Sequence, residues 1–328
     1  MPAENDKQPN SLPKYAPPTT GILSYLPRSW VPYAELIRID RPQGVFITNI
    51  PCLIGLMYGA NIASTKIEAT SLLKQAAKLS LTILAFRSAG CAWNDIIDQD
   101  VDRKTARCAI RPVARGAIST THGCIYTALL VGAAFLPLQT MPQACTTDAL
   151  ITTMLIGIYP FCKRITHFVQ IVLGLTLSST VFLATHSLGA DPWTDRTRIS
   201  TVGVMGSIAL MAAFYDVLYA CGDVEDDMKS GVKGLAVLFR NQLALLLSVL
   251  ASGVGLCFYI AASRIGMAAP YVTYTVGGSS LALALMIVLS QTDRKGTCFG
   301  YLKWFYMMGY LSLLGGLLGN YLETAEYV

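Results

Sequence analysis

Apolar runs of spanning length recur along the chain at about 45–63, 76–93, 121–139, 147–162, 166–188, 200–220, 241–262, 270–290 and 303–321. Each is about long enough to cross a hydrocarbon core near 30 Å as a helix. The pattern predicts an all-α fold: a polytopic transmembrane helical bundle of about nine spans, with 147–162 the shortest. Ahead of it, residues 1–30 are polar and proline-rich, with Pro17-Pro18-Thr19-Thr20. They read as a partly disordered N-terminal arm, lacking the Arg-rich character of a transit peptide and the apolar core of a secretory signal. Residues from about Val31 to Arg41 read as an interfacial helix, with Tyr33, Leu36 and Ile37 on one face. Residues 31–328 then form a single transmembrane domain.

Polar positions break this pattern in two places. After the second apolar run comes Asn94-Asp95-Ile96-Ile97-Asp98-Gln99-Asp100-Val101-Asp102. On a helix Asn94, Asp98 and Asp102 lie near one side and converge. Like charges so close repel one another, a divalent cation relieves the repulsion, and an all-oxygen donor set suits Mg²⁺ bridged to phosphates. The sixth run ends in Tyr215-Asp216-Val217-Leu218-Tyr219-Ala220-Cys221-Gly222-Asp223-Val224-Glu225-Asp226-Asp227. There Asp216, Asp223 and Asp227 can share a face. An ionisable residue costs about 2.5–3.5 kcal/mol at the centre of a span, so two such clusters imply a polar cavity. The plainer alternative is a solvated acidic helix end beside a membrane.

Basic residues follow the same places. Arg103, Lys104, Arg107, Arg111 and Arg115 trail the first cluster; Lys229, Lys233 and Arg240 trail the second. Lys163 and Arg164 sit in another connection, and Arg294, Lys295 and Lys303 in a fourth. The alternate connections carry only Lys66, Lys74, Lys78, Arg196, Arg198 and Arg264. Positive-inside bias puts the first set, the N-terminus and both clusters in the cytoplasm. Simple topology explains any one of these cations; arginines beside acidic pairs are better explained as phosphate ligands.

Composition agrees with a membrane protein. Of 328 residues, 53% are hydrophobic and only 14% charged, with net charge +5. A soluble domain carries about 25% charged residues. Nucleic-acid binding is not indicated. The nine cysteines are scattered without a CxxC pair, which favours packing over zinc or disulfides.

In order along the chain, Arg38-Ile39-Asp40-Arg41-Pro42 with Gly44, Gly90-Cys91 with Asn94-Asp95, Asp98 and Asp102, Arg107 with Arg111-Pro112 and Gly116, Tyr159-Pro160 with Lys163-Arg164, Thr166, Gln170 and Gly174, and Tyr215 to Asp227 with Lys229 to Lys233 resemble the motifs of the membrane-bound UbiA-type prenyltransferases. The likeness runs from about Leu36 to the C-terminus. Gly222 and Gly234-Leu235 depart from the commoner Gln and Ser-Thr. With Ala236 to Arg240 and the Leu12 to Trp30 arm, they look like the branch of fungal meroterpenoid pathways.

That resemblance implies a prenyl diphosphate donor, farnesyl diphosphate by the branch, with Mg²⁺ and a phenolic acid acceptor. It implies that Asn94, Asp98, Asp102, Asp223 and Asp227 hold the metal–diphosphate unit. Arg107, Arg111, Lys163, Arg164, Lys229 and Lys233 are then cations for the leaving group. Tyr159, Tyr215 and Tyr219 are aromatic faces for a cationic intermediate. Arg38 is a candidate for an acceptor carboxylate, and Asp95 or Asp216 for orienting neighbours or removing a proton. The ubiquinone-pathway 4-hydroxybenzoate enzyme is an alternative, and haem O synthases and membrane terpene cyclases share the metal site. A cation-coupled transporter is the alternative of another class. A CDP-alcohol phosphotransferase would need a DGxxAR pattern, which the chain lacks.

Overall fold

A computed structural model describes residues 15–105, 108–222, 224–292 and 299–326. Arg107 and Asp223 therefore lie outside the described residues. Among those described there is no strand; the protein is all helix.

Long helices stand over each predicted apolar run. They are α2 (Gln43–Ile62), α3 (Ala69–Ile97), α5 (Thr120–Phe135), α6 (Gln143–Ile165), α7 (Val169–Ser178) with α8 (Thr180–Ser187), α9 (Arg198–Ala220), α12 (Leu243–Ile265), a π-helical turn (Tyr271–Gly278) running into α13 (Ser279–Thr292), and α14 (Phe299–Glu326). Short helices lie between: α1 (Val31–Leu36), α4 (Gln99–Asp102), α10 (Val224–Ser230) and α11 (Leu235–Leu238). Seven of the long segments are apolar and long enough to cross a membrane among the described residues. α3 is outside that set, since it carries Lys74, Lys78, Arg87 and Asp95.

α9 runs along α12 and α7, α2 along α8 and α14, and α3 along α5. Close approach depends on glycine at two of these crossings. A Cβ on Gly55 would lie 2.7 Å from the Val181 backbone, and one on Gly203 would lie 2.8 Å from the backbone of Cys257 and Ala261. The largest apolar core gathers Tyr58, Val204, Ile208, Met211, Phe214, Tyr215, Phe258 and Tyr310, all fully buried. A second core includes Cys52 and Cys145, as packing residues.

Local structure departs from expectation in three places. The helix predicted over Val31 to Arg41 ends at Leu36, because Arg38 takes a left-handed conformation at φ 56°. The acidic run is not one continuous helix: α3 ends at Ile97, Asp98 sits at φ −89°, ψ 5°, and α4 begins anew at Gln99. Third, part of the arm is folded. Tyr15 donates a hydrogen bond of 2.9 Å to Glu35 and lies under Arg115, 3.7 Å from guanidinium carbon to ring centroid. Arg115 in turn donates to Glu35 at 2.5 Å.

Candidate active site

The ends of α3 and α6 meet at one end of the bundle, and Lys163 joins them. Its Nζ donates to Asn94 Oδ1 at 3.1 Å and to Asp98 Oδ2 at 3.4 Å. The Tyr159 ring lies beside the same ammonium, centroid at 5.3 Å. Asp98 from the first acidic stretch and Asp216 from the second both act electrostatically on Lys163. The backbone N–H of Lys233 donates to the Lys163 carbonyl at 3.1 Å, and its Nζ to the Ile165 carbonyl at 3.2 Å. The second acidic stretch therefore leads into a loop anchored on the end of α6. Both stretches lie at the same end of the bundle.

Asp95 and Asp102 face a different partner. Arg111 holds Asp102 through both carboxylate oxygens, at 2.8 and 3.0 Å, and reaches Asp95 at 3.3 Å. Arg38 donates to the same oxygen of Asp95 at 2.6 Å. The result is an alternating chain, Arg38–Asp95–Arg111–Asp102, whose two positive and two negative charges cancel. Asp95 is fully buried and outside the cavity lining, so it positions two arginines and is poorly placed to take a substrate proton. Burial pushes the Asp102 carboxyl up, with Arg111 pulling the other way. Burial alone would lower Arg111, but Asp95 and Asp102 more than offset it and hold its pKa above the usual value.

Beside this network lies a cavity of about 300 Å³, lined by Arg38, Arg87, Asn94, Tyr159, Cys91 and Phe86 with Ile83, Ile156, Leu173 and Leu177. Thr48, Thr152, Thr176 and Thr180 complete its wall. An apolar wall with a few convergent polar groups is the usual make-up of a small-molecule site.

The remaining predicted residues divide. Arg164 is paired with Asp100 at 2.6 Å on the exposed rim. Asp216 accepts a hydrogen bond of 2.7 Å from Gln170. Asp227 and Lys229 sit on α10. Two tyrosines depart from expectation. Tyr219 is 57% exposed and lines no part of the cavity, while Tyr215 is buried in the core against Phe214 and Tyr310. On α9 the two side chains point away from the cavity for opposite reasons, one to the surface and one to the core. Arg107 and Asp223 lie outside the described residues.

Asn94, Asp98 and Asp102 fit a hard divalent cation by donor chemistry, and a protein ammonium already occupies the point where Asn94 and Asp98 converge. Among the described residues no three acidic, His or Cys side chains form a complete cage. Asp223, which the resemblance adds to the metal set, lies outside the described residues.

Arg87 escapes the motif reading. Its guanidinium bonds to the Ile37 carbonyl and approaches those of Arg38 (3.4 Å) and Arg41 (3.5 Å). Gly44 makes room for it, since a Cβ there would lie 2.6 Å from Nη2. The available signal was an arginine inside an otherwise apolar run.

The family model of the UbiA prenyltransferase family matches residues 49–310. The chain belongs to the UbiA prenyltransferase family. It is a multi-pass membrane protein and a prenyltransferase. Among curated relatives, Prenytransferase ascA of Acremonium egyptiacum is 41% identical, across 96% of this chain and 92% of its own length. DMOA farnesyltransferase nvfB of Aspergillus novofumigatus is 38% identical, across 92% and 94%. Of solved structures, a UbiA homologue from Archaeoglobus fulgidus bound to GPP and Mg²⁺ superposes with TM-score 0.63 at 16% identity, over 86% of this chain and 99% of that one. An apo UbiA homologue from Aeropyrum pernix gives TM-score 0.65 at 19% identity, over 85% and 98%.

Proposed function

We propose that this prenyltransferase moves a farnesyl group from its diphosphate to a ring carbon of a phenolic acid, in the biosynthesis of a fungal meroterpenoid. The observation that carries this reading is the junction of Asn94, Asp98 and Lys163, with Asn94 also lining an apolar cavity. The farnesyl donor is supported by nvfB, named a farnesyltransferase. A phenolic acid of the orsellinic type is the acceptor that the branch resemblance suggests.

Asn94, Asp98 and Asp102, with Asp223 and Asp227, would hold Mg²⁺ on the diphosphate. The bound ion neutralises leaving-group charge and so weakens the allylic C–O bond. This chain's own residues do the rest. Lys163 lends positive charge where the diphosphate oxygens depart. Arg111, Lys229 and Lys233 supply further positive charge around that end. Tyr159 presents its ring to the developing cation. Ile83, Phe86, Leu173 and Leu177 keep water away from it, which protects it from hydrolysis. The aromatic ring attacks the allylic carbon and then loses the proton from the substituted carbon to restore aromaticity. Residues 31–328 act as one catalytic domain, with the N-terminus and the site on the cytoplasmic face of an endomembrane, as the loop cations suggest.

The test is product mass spectrometry on membranes given donors of ten, fifteen and twenty carbons with a phenolic acid. Mg²⁺-dependent C-farnesylation is expected. Preference for another chain length would remove the farnesyl assignment, and prenylation of a non-aromatic acceptor alone would remove the acceptor class.

A further inference from the structure

Several cations at this end of the bundle have carboxylate partners, while Lys233 reaches the Ile165 carbonyl and Arg103 the Ala114 carbonyl. Arg38 and Arg111 share Asp95, Arg115 has Glu35, Lys163 has Asp98 and Arg164 has Asp100. Arg87 has none among the described residues. Its hydrogen-bond partners are main-chain carbonyls, and it lies in α3 between Phe86 and Ser88 and lines the cavity. Among the described residues no carboxylate lines that cavity either. A cation on an apolar stretch of a membrane protein's helix, without a carboxylate partner among the described residues, is a candidate functional group.

We propose that Arg87 recognises the carboxylate of the acceptor and so makes the enzyme prenylate a phenolic acid in preference to the bare phenol. The inference rests on the aromatic-acceptor reading above. Arg87 and Asn94 are seven residues apart and both line the cavity, so along α3 they are separated by about 10 Å. That spacing leaves room for one substituted ring between Arg87 and the diphosphate end. A guanidinium is the side chain suited to a carboxylate, offering two parallel N–H donors in one plane. The carbonyls of Ile37, Arg38 and Arg41 fix Arg87 in place and engage part of its five N–H groups. Arg38, the residue that the motifs suggested for this role, already has its charge met by Asp95 at 2.6 Å.

Two measurements on the full-length protein test this. The first is kcat/KM for 2,4-dihydroxybenzoate relative to resorcinol, its decarboxylated counterpart. In Arg87→Gln this ratio is expected to fall at least tenfold, with partial rescue in Arg87→Lys and a smaller change in the donor KM. Equal losses for acid and phenol would overturn the assignment, because a merely structural arginine moves both alike. The second needs no turnover. Cys91 lines the same cavity, and its alkylation by N-ethylmaleimide is followed by peptide mass spectrometry. The acid should slow labelling of Cys91 in the wild type and in Arg87→Lys but not in Arg87→Gln. Equal protection in Arg87→Gln, or protection of the wild type by resorcinol as strong as by the acid, would overturn it. If no phenolic acid is prenylated yet Cys91 follows the expected pattern, the acceptor reading fails while the Arg87 site stands.

Discussion

The two ends of this bundle solve the problem of polar groups in a membrane protein in opposite ways. At the site end the polar residues are ions, and they pair across sequence separations that helix periodicity does not reveal: Arg38 with Asp95, Lys163 with Asp98, Arg115 with Glu35. At the other end they are mostly neutral. Tyr58 shares a hydrogen bond of 2.9 Å with Thr201, Asn320 donates to Asn61 at 2.5 Å, and Ser200 donates to the Ala261 carbonyl at 2.9 Å. The ionisable pairs there are His186 with Asp148 at 2.7 Å and, on the surface, Arg198 with Asp195 at 2.9 Å. Neutral hydrogen bonds hold helices together at little desolvation cost. Buried ions cost more and add little net stability, so a bundle that gathers them at one end is using them for chemistry. Substitutions at the site end should therefore remove activity more than stability, and those at the far end the reverse.

The largest effect is expected from Asp98→Ala and Asp223→Ala. Both should abolish diphosphate release while the protein still inserts into membranes, measured by turnover and by yield of folded protein. Activity near wild type in either would remove the metal assignment. Chelation of divalent ions should match that loss and be reversed by Mg²⁺. Next comes Arg111→Gln, which removes the charge shared by Asp95 and Asp102; turnover should fall by about 10²-fold, with a smaller change in melting temperature. Tyr58→Phe should do the opposite, costing about 1 kcal/mol of stability in thermal unfolding while kcat stays at the wild-type level. The smallest effect belongs to Asp100→Asn. Arg164 holds the Asp100 carboxyl below its ordinary value, so the pair stabilises above about pH 4 and that contribution is lost as pH falls through the lowered pKa. On an exposed rim it is worth roughly 0.2–1 kcal/mol, and the Asn variant should lose the acid-side part of the pH–stability curve.

How far the sequence anticipates this arrangement depends on the range of each interaction. The helices are legible because a span announces itself through about twenty consecutive apolar residues. Asn94 and Asp98 are legible because their four-residue spacing survives the end of α3: the Asp98 N–H still donates to the Asn94 carbonyl at 2.9 Å. Arg87 is not legible, since its partners are carbonyls some fifty residues earlier and its fit depends on Gly44 lacking a Cβ. The folded stretch of the arm is hidden for a similar reason. Proline-rich sequence reads as disorder, and only the docking of Tyr15 on Glu35 and Arg115 overrides it. Tyr215 and Tyr219 came from the resemblance, which does not say where a side chain points: one enters the core and the other reaches the surface.

Lys163 carries one more consequence. With its ammonium between Asn94 and Asp98, the protein holds its own counter-ion for the carboxylate that a divalent ion would otherwise have to shield. The acidic end of α3 is thus tied to α6 by the chain's own contacts, unlike a zinc finger, whose fold depends on its ion. A divalent ion bound at this point would take over, or add to, a positive charge that the fold already supplies.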